Sequence, residues 1–153
     1  MDKPDRVFKS SEVYGKRPIE KMAAYTDPTW VMSVPIKDGM SILDVGCFKG
    51  VDVRQLWALY PNAKLTGVDI QKEAIEYCSK KHEDIGATWI VADVLKLPFA
   101  DKEFDVVIAN GLISDLNGED VWAARAELKR VGQQVYIADY DSNLDFFREK
   151  LLG

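Results

Sequence analysis

Between Ser41 and Ala138 the chain alternates short apolar runs with longer amphipathic segments. Ser41 to Val45, Lys64 to Val68, Thr88 to Ala92, Phe104 to Ala109 and Gln134 to Ala138 have the length and composition of strands. Val51 to Tyr60 carries Val53, Leu56, Trp57 and Tyr60 on one helical face, and Pro61-Asn62 stops it. Gln71 to Lys81 repeats the pattern with Ala74, Ile75 and Cys78, and Glu119 to Val131 with Val121, Ala124, Leu128 and Val131. Leu95 to Glu103, with Pro98 and several charges, reads as a connection. Leu144, Phe147 and Leu151 line a last short helix over 141–153, with Ser142 or Asn143 as its N-cap.

Strands that are apolar throughout must be covered on both faces, which is the condition of a parallel sheet. The expected fold is therefore α/β and Rossmann-like. It is a doubly wound, mainly parallel five-stranded sheet of order 3-2-1-4-5, with right-handed crossovers and ligands beyond the carboxyl ends of the strands. Residues 1–40 form a helical N-terminal extension, which Asp27-Pro28 breaks into two short helices by supplying an N-cap and a Pro at N1. Residues 41–140 form the core, and the whole chain, 1–153, reads as one domain.

Composition excludes several classes. No apolar stretch approaches the roughly 20 residues that span a bilayer, and the N-terminus lacks the apolar core of a secretion signal. Cys47 and Cys78 form no zinc spacing and, with no such signal, point to a reducing cytoplasm. The single histidine, His82, lies in the charged run Lys80 to Asp84 and reads as a solvated surface residue, so histidine catalysis and metal binding have little to build on. A net charge of -5 and no long basic cluster argue against a broad nucleic-acid footprint.

Chemistry gathers where the strands end. The first leads through Leu43-Asp44-Val45-Gly46-Cys47-Phe48-Lys49-Gly50 into a helix, a tight glycine loop that lets backbone N–H groups approach a ligand. It is neither a phosphate P-loop nor the dinucleotide G-x-G-x-x-G, since Phe48 stands two residues after Gly46. Asp69 closes the second strand about 20 residues further on, the spacing at which a carboxylate takes ribose hydroxyls. Asp93 and Asn110 close the third and fourth. Asp44, Asp69, Asp93 and Asn110 thus fall on one edge of the sheet.

In this arrangement Ile42 to Gly50 resembles motif I of the class I S-adenosylmethionine-dependent methyltransferases. The resemblance covers roughly residues 40 to 140. It implies that Asp44, Gly46, Cys47, Phe48 and Gly50 bind the cofactor, with Asp44 at its cationic methionine end and the helix start at Gly50 facing its carboxylate, and that Asp69 holds both ribose hydroxyls. It further implies that Ile70 lies beside adenine, that Asp93 with the Val94 backbone accepts the adenine amino group, and that Asn110 sits near the methyl-bearing sulfur. The implied activity is methyl transfer from S-adenosylmethionine to a small-molecule or protein nucleophile, with S-adenosylhomocysteine as product. Two features depart from the family. Phe48 replaces the middle glycine, so its ring either turns away into helix packing or reshapes the site. The chain also leaves no room for the family's antiparallel sixth and seventh strands. The fifth strand is then an exposed edge, and self-association through it is expected unless another segment covers it.

Plainer readings stand beside these. Asp69 could cap the following helix, and Asp44 and Asp93 could be turn formers. Cys47 reads as a small loop residue, the tryptophans as packing, and Lys129-Arg130 as a solvated helix end. Ser114 and Asp115 form a polar loop that could touch a substrate, and Tyr14 and Arg17 could close over the cofactor or lie on the surface. Two rival functions remain open. One is a non-catalytic S-adenosylmethionine-binding subunit, and the other is a nicotinamide-dependent oxidoreductase, which Asp69 alone would allow.

Overall fold

The computed structural model describes residues 19–21, 28–140 and 146–151. Strands β1 (Ser41–Val45), β2 (Lys64–Asp69), β3 (Thr88–Val91), β4 (Phe104–Asn110), β5 (Gly132–Tyr140) and β6 (Phe146–Leu151) form one sheet of order β3-β2-β1-β4-β5-β6. The first five run parallel, in the order the sequence predicts. Helices α1 (Pro28–Met32), α2 (Val51–Leu59), α3 (Lys72–Lys81) and α4 (Gly118–Val131) connect and cover them, with single helical turns at Ile19–Lys21, Glu83–Ile85 and Ile113–Asp115. Of the N-terminal extension, the first of these turns and α1 are described, and Asp27 lies outside the described residues.

Alternation along each strand splits the core into two layers. Ile42, Leu65, Val106, Ile108, Tyr136 and Ala138 face Trp30 and Val31 of α1, Val53 and Leu56 of α2, and Ile75 and Cys78 of α3. Leu43, Val45, Val107, Ala109, Val135 and Ile137 face Ala124, Leu128 and Val131 of α4, with Val94 and Leu97 from the connection after β3. Burying each such aliphatic side chain contributes about 1.5–3 kcal/mol, so the two layers supply the main drive to fold. The order of strands reverses between β1 and β4, which opens a crevice at their carboxyl ends.

The last element departs from the expectation. Phe146 to Leu151 is a strand, not a helix, and pairs antiparallel with β5 from Val135↔Leu151 to Tyr140↔Phe146. A spacing of four, as between Phe147 and Leu151, puts two residues on one face of a helix and equally on one face of a strand. The tie is broken by β5, whose outer edge would otherwise leave a row of backbone groups without partners. β6 therefore supplies the covering segment, and β5 is not the free edge. Leu144, Ser142 and Asn143 lie outside the described residues.

Arg130 also departs from expectation: it is not a solvated helix end. Its guanidinium donates to Glu127 at 2.6 Å, to Asp101 at 3.0 Å, and to the carbonyls of Leu97 at 3.0 Å and Phe99 at 2.7 Å. The Glu127 carboxylate in turn accepts the Leu97 N–H at 2.8 Å. This fork pins the connection after β3 onto α4, closing one layer of the core. Of the tryptophans, Trp30 is core and Trp122 is exposed, stacked near Arg125.

β2 approaches its neighbours closely at Gly67, where a Cβ would lie 2.6 Å from the Trp89 ring and 3.2 Å from Cys47 Sγ. Gly67→Ala is expected to lower stability by about 1–3 kcal/mol, because overpacking must displace a ring already wedged in the layer. Thermal or urea unfolding checks this, and an unchanged midpoint would mean that Trp89 moves freely.

Candidate functional site

Strand parity explains why three of the four predicted strand-end residues lie on one side of the sheet. Asp44 is two residues from Ile42, Asp69 is four from Leu65, and Asn110 is two from Ile108, and all three reference residues face the α1–α3 layer. In the paired strands, Asp44 stands opposite Gly67 on one side and Ile108 on the other. The side chains therefore rise at the carboxyl rim, where α2 begins.

The glycine loop is strapped to β2. Gly46 and Cys47 both donate their backbone N–H to Val68 O at 2.9 Å, and Phe48 donates to Asp69 Oδ2 at 3.0 Å. Asp69 Oδ1 accepts the Gln71 N–H at 2.9 Å. One carboxylate thus holds the loop and closes the turn just ahead of α3; it does not cap that helix, whose N-cap, Gln71, makes no side-chain cap. Burial raises the Asp69 pKa above the ordinary range, while the hydrogen bonds from Gln71 and Phe48, and more weakly the nearby Ile70 N–H, oppose that rise. Gly50, at φ 77, leads into α2 and provides no side-chain cap.

Asp44 is 2% exposed, and its Oδ1 has no hydrogen-bond partner. Burial pushes its carboxyl well above the usual range, with the charge of Asp52 next in effect, then Cys78 and Asp69. Asp52 lies in the first turn of α2 and is itself buried. Its Oδ2 accepts a hydrogen bond from Asn110 Nδ2 at 3.1 Å, spanning the crevice between the β1–α2 loop and the end of β4. The sequence reading missed Asp52. A signal was present, since it precedes the buried Leu56 by four residues and so shares the covered face of α2.

Asp93 lies just beyond β3, adjacent to β2 through the Ala92 N–H bond to Asp69 O at 3.0 Å. Its Oδ1 accepts the Leu95 N–H at 2.9 Å, the turn-forming role of the plainer reading, and Val94 is buried in the α4 layer. Ile70 stays 37% exposed beside Asp69.

Phe48 adopts a left-handed φ of 47, the conformation a glycine would take at this position. Its ring turns away into a small cluster with Ile19, Ala74 and Tyr77. Of the two alternatives for this departure, the ring packs against helix α3. Cys47 is buried, and its hydrogen bond with Cys78, followed by burial, pushes its thiol well up, the opposite of what a nucleophile requires.

His82 corrects the expectation of a solvated residue. It is buried beside Trp89 and Tyr77, and its Nε2 lies 2.8 Å from Lys49 O at the end of the glycine loop. The carbonyl makes Nε2 the protonated nitrogen, and His82 thereby buttresses Gly50, whose Cβ position would be 2.8 Å from the ring. A second buried residue was missed on the opposite layer. Asp139, fully buried at the end of β5, accepts the Ser114 N–H at 2.9 Å and fixes the turn after β4. Ser114 is exposed and Asp115 sits in that turn. Tyr14 and Arg17 lie outside the described residues. Among the described residues no group of three or more His, Cys, Asp or Glu is placed to hold a metal ion. No helix there is long and apolar enough to cross a membrane.

Asp44→Asn keeps the side-chain shape and removes the charge. At pH 8 the free variant is expected to be more stable than the parent by about 1–3 kcal/mol, because the amide carries no charge for burial to penalise. A carboxyl whose pKa is raised by folding stabilises the fold when protonated and loses that contribution as the pH rises through the folded pKa. The parent should therefore gain on the variant as the pH falls from about 8 towards the ordinary carboxylate range near 4. Melting curves across this interval check the sign, and parallel curves would contradict it.

Residues 42–134 match the model of a methyltransferase domain family. The chain is 30% identical over 139 residues to the O-methyltransferase cnsE of Penicillium expansum, covering 88% of this chain and 47% of that one. It is 34% identical over 85 residues to a malonyl-[acyl-carrier protein] O-methyltransferase of Hahella chejuensis, covering 56% of this chain and 30% of that one. The chain thus spans less than half the length of these curated relatives. A SAM-dependent methyltransferase from Aquifex aeolicus superposes with a TM-score of 0.65 at 25% identity, covering 75% of this chain and 64% of that one. A Haloferax volcanii complex of the Trm112 methyltransferase activator and a methyltransferase shares the fold, with a TM-score of 0.67 at 21% identity over 74% of this chain and 51% of that one. The strand-end carboxylates, the glycine loop strapped to β2 and the family match over most of the core together place this chain in the methyltransferase domain family, with the class I fold.

Proposed function

We propose that the carboxyl rim binds S-adenosylmethionine and directs its methyl group to a nucleophile on a small molecule or a protein, leaving S-adenosylhomocysteine. The observation that carries this reading is Asp44, a carboxylate 2% exposed whose Oδ1 has no partner among the described residues, within the field of Asp52 in the first turn of α2 and Asp69 at the end of β2. A buried negative charge of that kind is costly unless a cation arrives to meet it. The methionine end of the cofactor brings an ammonium and a sulfonium.

The remaining residues fit the same ligand. An ionised carboxylate has about four acceptor sites, so Asp69 can keep its two backbone donors and still accept two ribose hydroxyls. Ile70 offers an exposed apolar surface for adenine next to that carboxylate, where Asp93 and the Val94 backbone would meet its amino group. The uncapped start of α2 would face the cofactor carboxylate, with the helix dipole favouring the negative charge. Asn110 would border the methyl-bearing end.

When bound, the sulfonium supplies an already activated methyl group. What this chain must then do is hold the nucleoside and keep the acceptor in line. The turn after β4, fixed by Asp139 through Ser114, follows Asn110 in the chain and would border the acceptor side of the crevice. A reducing cytoplasm fits the two free thiols, Cys47 and Cys78.

Calorimetric titration separates the readings. S-adenosylmethionine and S-adenosylhomocysteine are expected to bind and NAD is not; the reverse pattern would move the chain to the nicotinamide enzymes. Asp69→Ala should weaken cofactor binding by a few kcal/mol, since it removes a charged acceptor of two hydrogen bonds. Release of S-adenosylhomocysteine when the protein and cofactor are added to cell extract is expected of an enzyme, and tight binding without release would leave a binding module.

A further inference from the structure

Asp52 has no counterpart among the strand-end residues, yet it is brought to the same place by a different element. It is 8% exposed, in the first turn of α2, and its Oδ2 takes the Asn110 amide proton at 3.1 Å. Asn110 ends β4, and Asp44, next to the end of β1, stands opposite Ile108 two residues earlier on the same face. The three side chains therefore meet over the crevice where the strand order reverses. Asp44 contributes a buried oxygen that has no hydrogen-bond partner among the described residues.

We infer that Asp52 is a second carboxylate for the charged end of S-adenosylmethionine, and that it sets the rim's preference for the sulfonium over the neutral thioether of S-adenosylhomocysteine. This rests on the cofactor reading above. The two molecules share ribose, adenine, ammonium and carboxylate, and differ by the methyl group and one positive charge on sulfur. Contacts with the shared parts cannot tell them apart, whereas a carboxylate across a poorly solvated crevice can. The Asn110 hydrogen bond holds Asp52 beside the end of β4 without the entropy of an exposed side chain. The consequence is functional, because loss of the charge on sulfur after transfer loosens the product.

Asp52→Asn separates charge from shape, since the amide oxygen can still accept from Asn110. Kd values for S-adenosylmethionine and S-adenosylhomocysteine are measured by calorimetry for parent and variant. The variant is expected to lose about tenfold in affinity for the sulfonium form and less than about twofold for the thioether, as one fixed charge in a site of intermediate dielectric implies. Equal losses for both ligands would make Asp52 a clamp for Asn110 and overturn the inference, as would unchanged values for both. Binding of neither ligand to the parent would instead remove the cofactor reading itself, and the inference with it. If Asp52→Asn does not fold, as judged by circular dichroism, Asp52→Ser carries the same comparison with a smaller neutral acceptor.

Discussion

Asp44 is a carboxylate that β1 delivers to a position with almost no water and, at one oxygen, no partner. Nothing in the packing requires it, since an aliphatic residue would suit the layer that holds Ile42, Val106 and Ile108. Such a residue costs stability in the free protein. On the proposed cofactor reading, the missing partner is the cation of a bound ligand, and the rest of the rim fits that need. Asp52 and Asp69 add to the same negative field, while the backbone N–H groups at the start of α2 offer the opposite polarity. A ligand carrying cation and anion close together satisfies both.

The fold makes this arrangement at the cost of one left-handed non-glycine residue, Phe48. Parallel strands place their carboxyl ends on one edge, and the reversal of order between β1 and β4 opens the crevice there. The loop that follows β1 is held by backbone bonds to Val68 and by Asp69, and its far end by His82 through Lys49. Phe48 shows how such a loop tolerates a large residue. The left-handed backbone is kept, and the ring is spent on packing with Ile19, Ala74 and Tyr77.

How much was legible in the sequence follows from the range of the interactions involved. The five parallel strands, their order and the clustering of Asp44, Asp69 and Asn110 could be read because periodicity and parallel connection fix where a strand end lies. Residues whose environment is set by distant segments could not. His82 sits in a run of charges that looks solvated, and it is buried by Trp89 from another element. Arg130 looks like a helix-end cation, but its partners Asp101 and Leu97 lie 29 and 33 residues away. Asp52 went unnoticed because helix faces were assigned from apolar residues alone. The terminal segment was misread because residues four apart share a face in a helix and in a strand alike, and the deciding partner was the open edge of β5.

The direct measurement is an NMR titration of the Asp44 carboxyl carbon, assigned with Asp44→Asn, in the free protein and with saturating S-adenosylmethionine. A midpoint well above the usual carboxylate range that drops when the cofactor is added is the expected result. An ordinary midpoint that does not respond to the cofactor would contradict the buried, cation-seeking carboxylate on which the site is built.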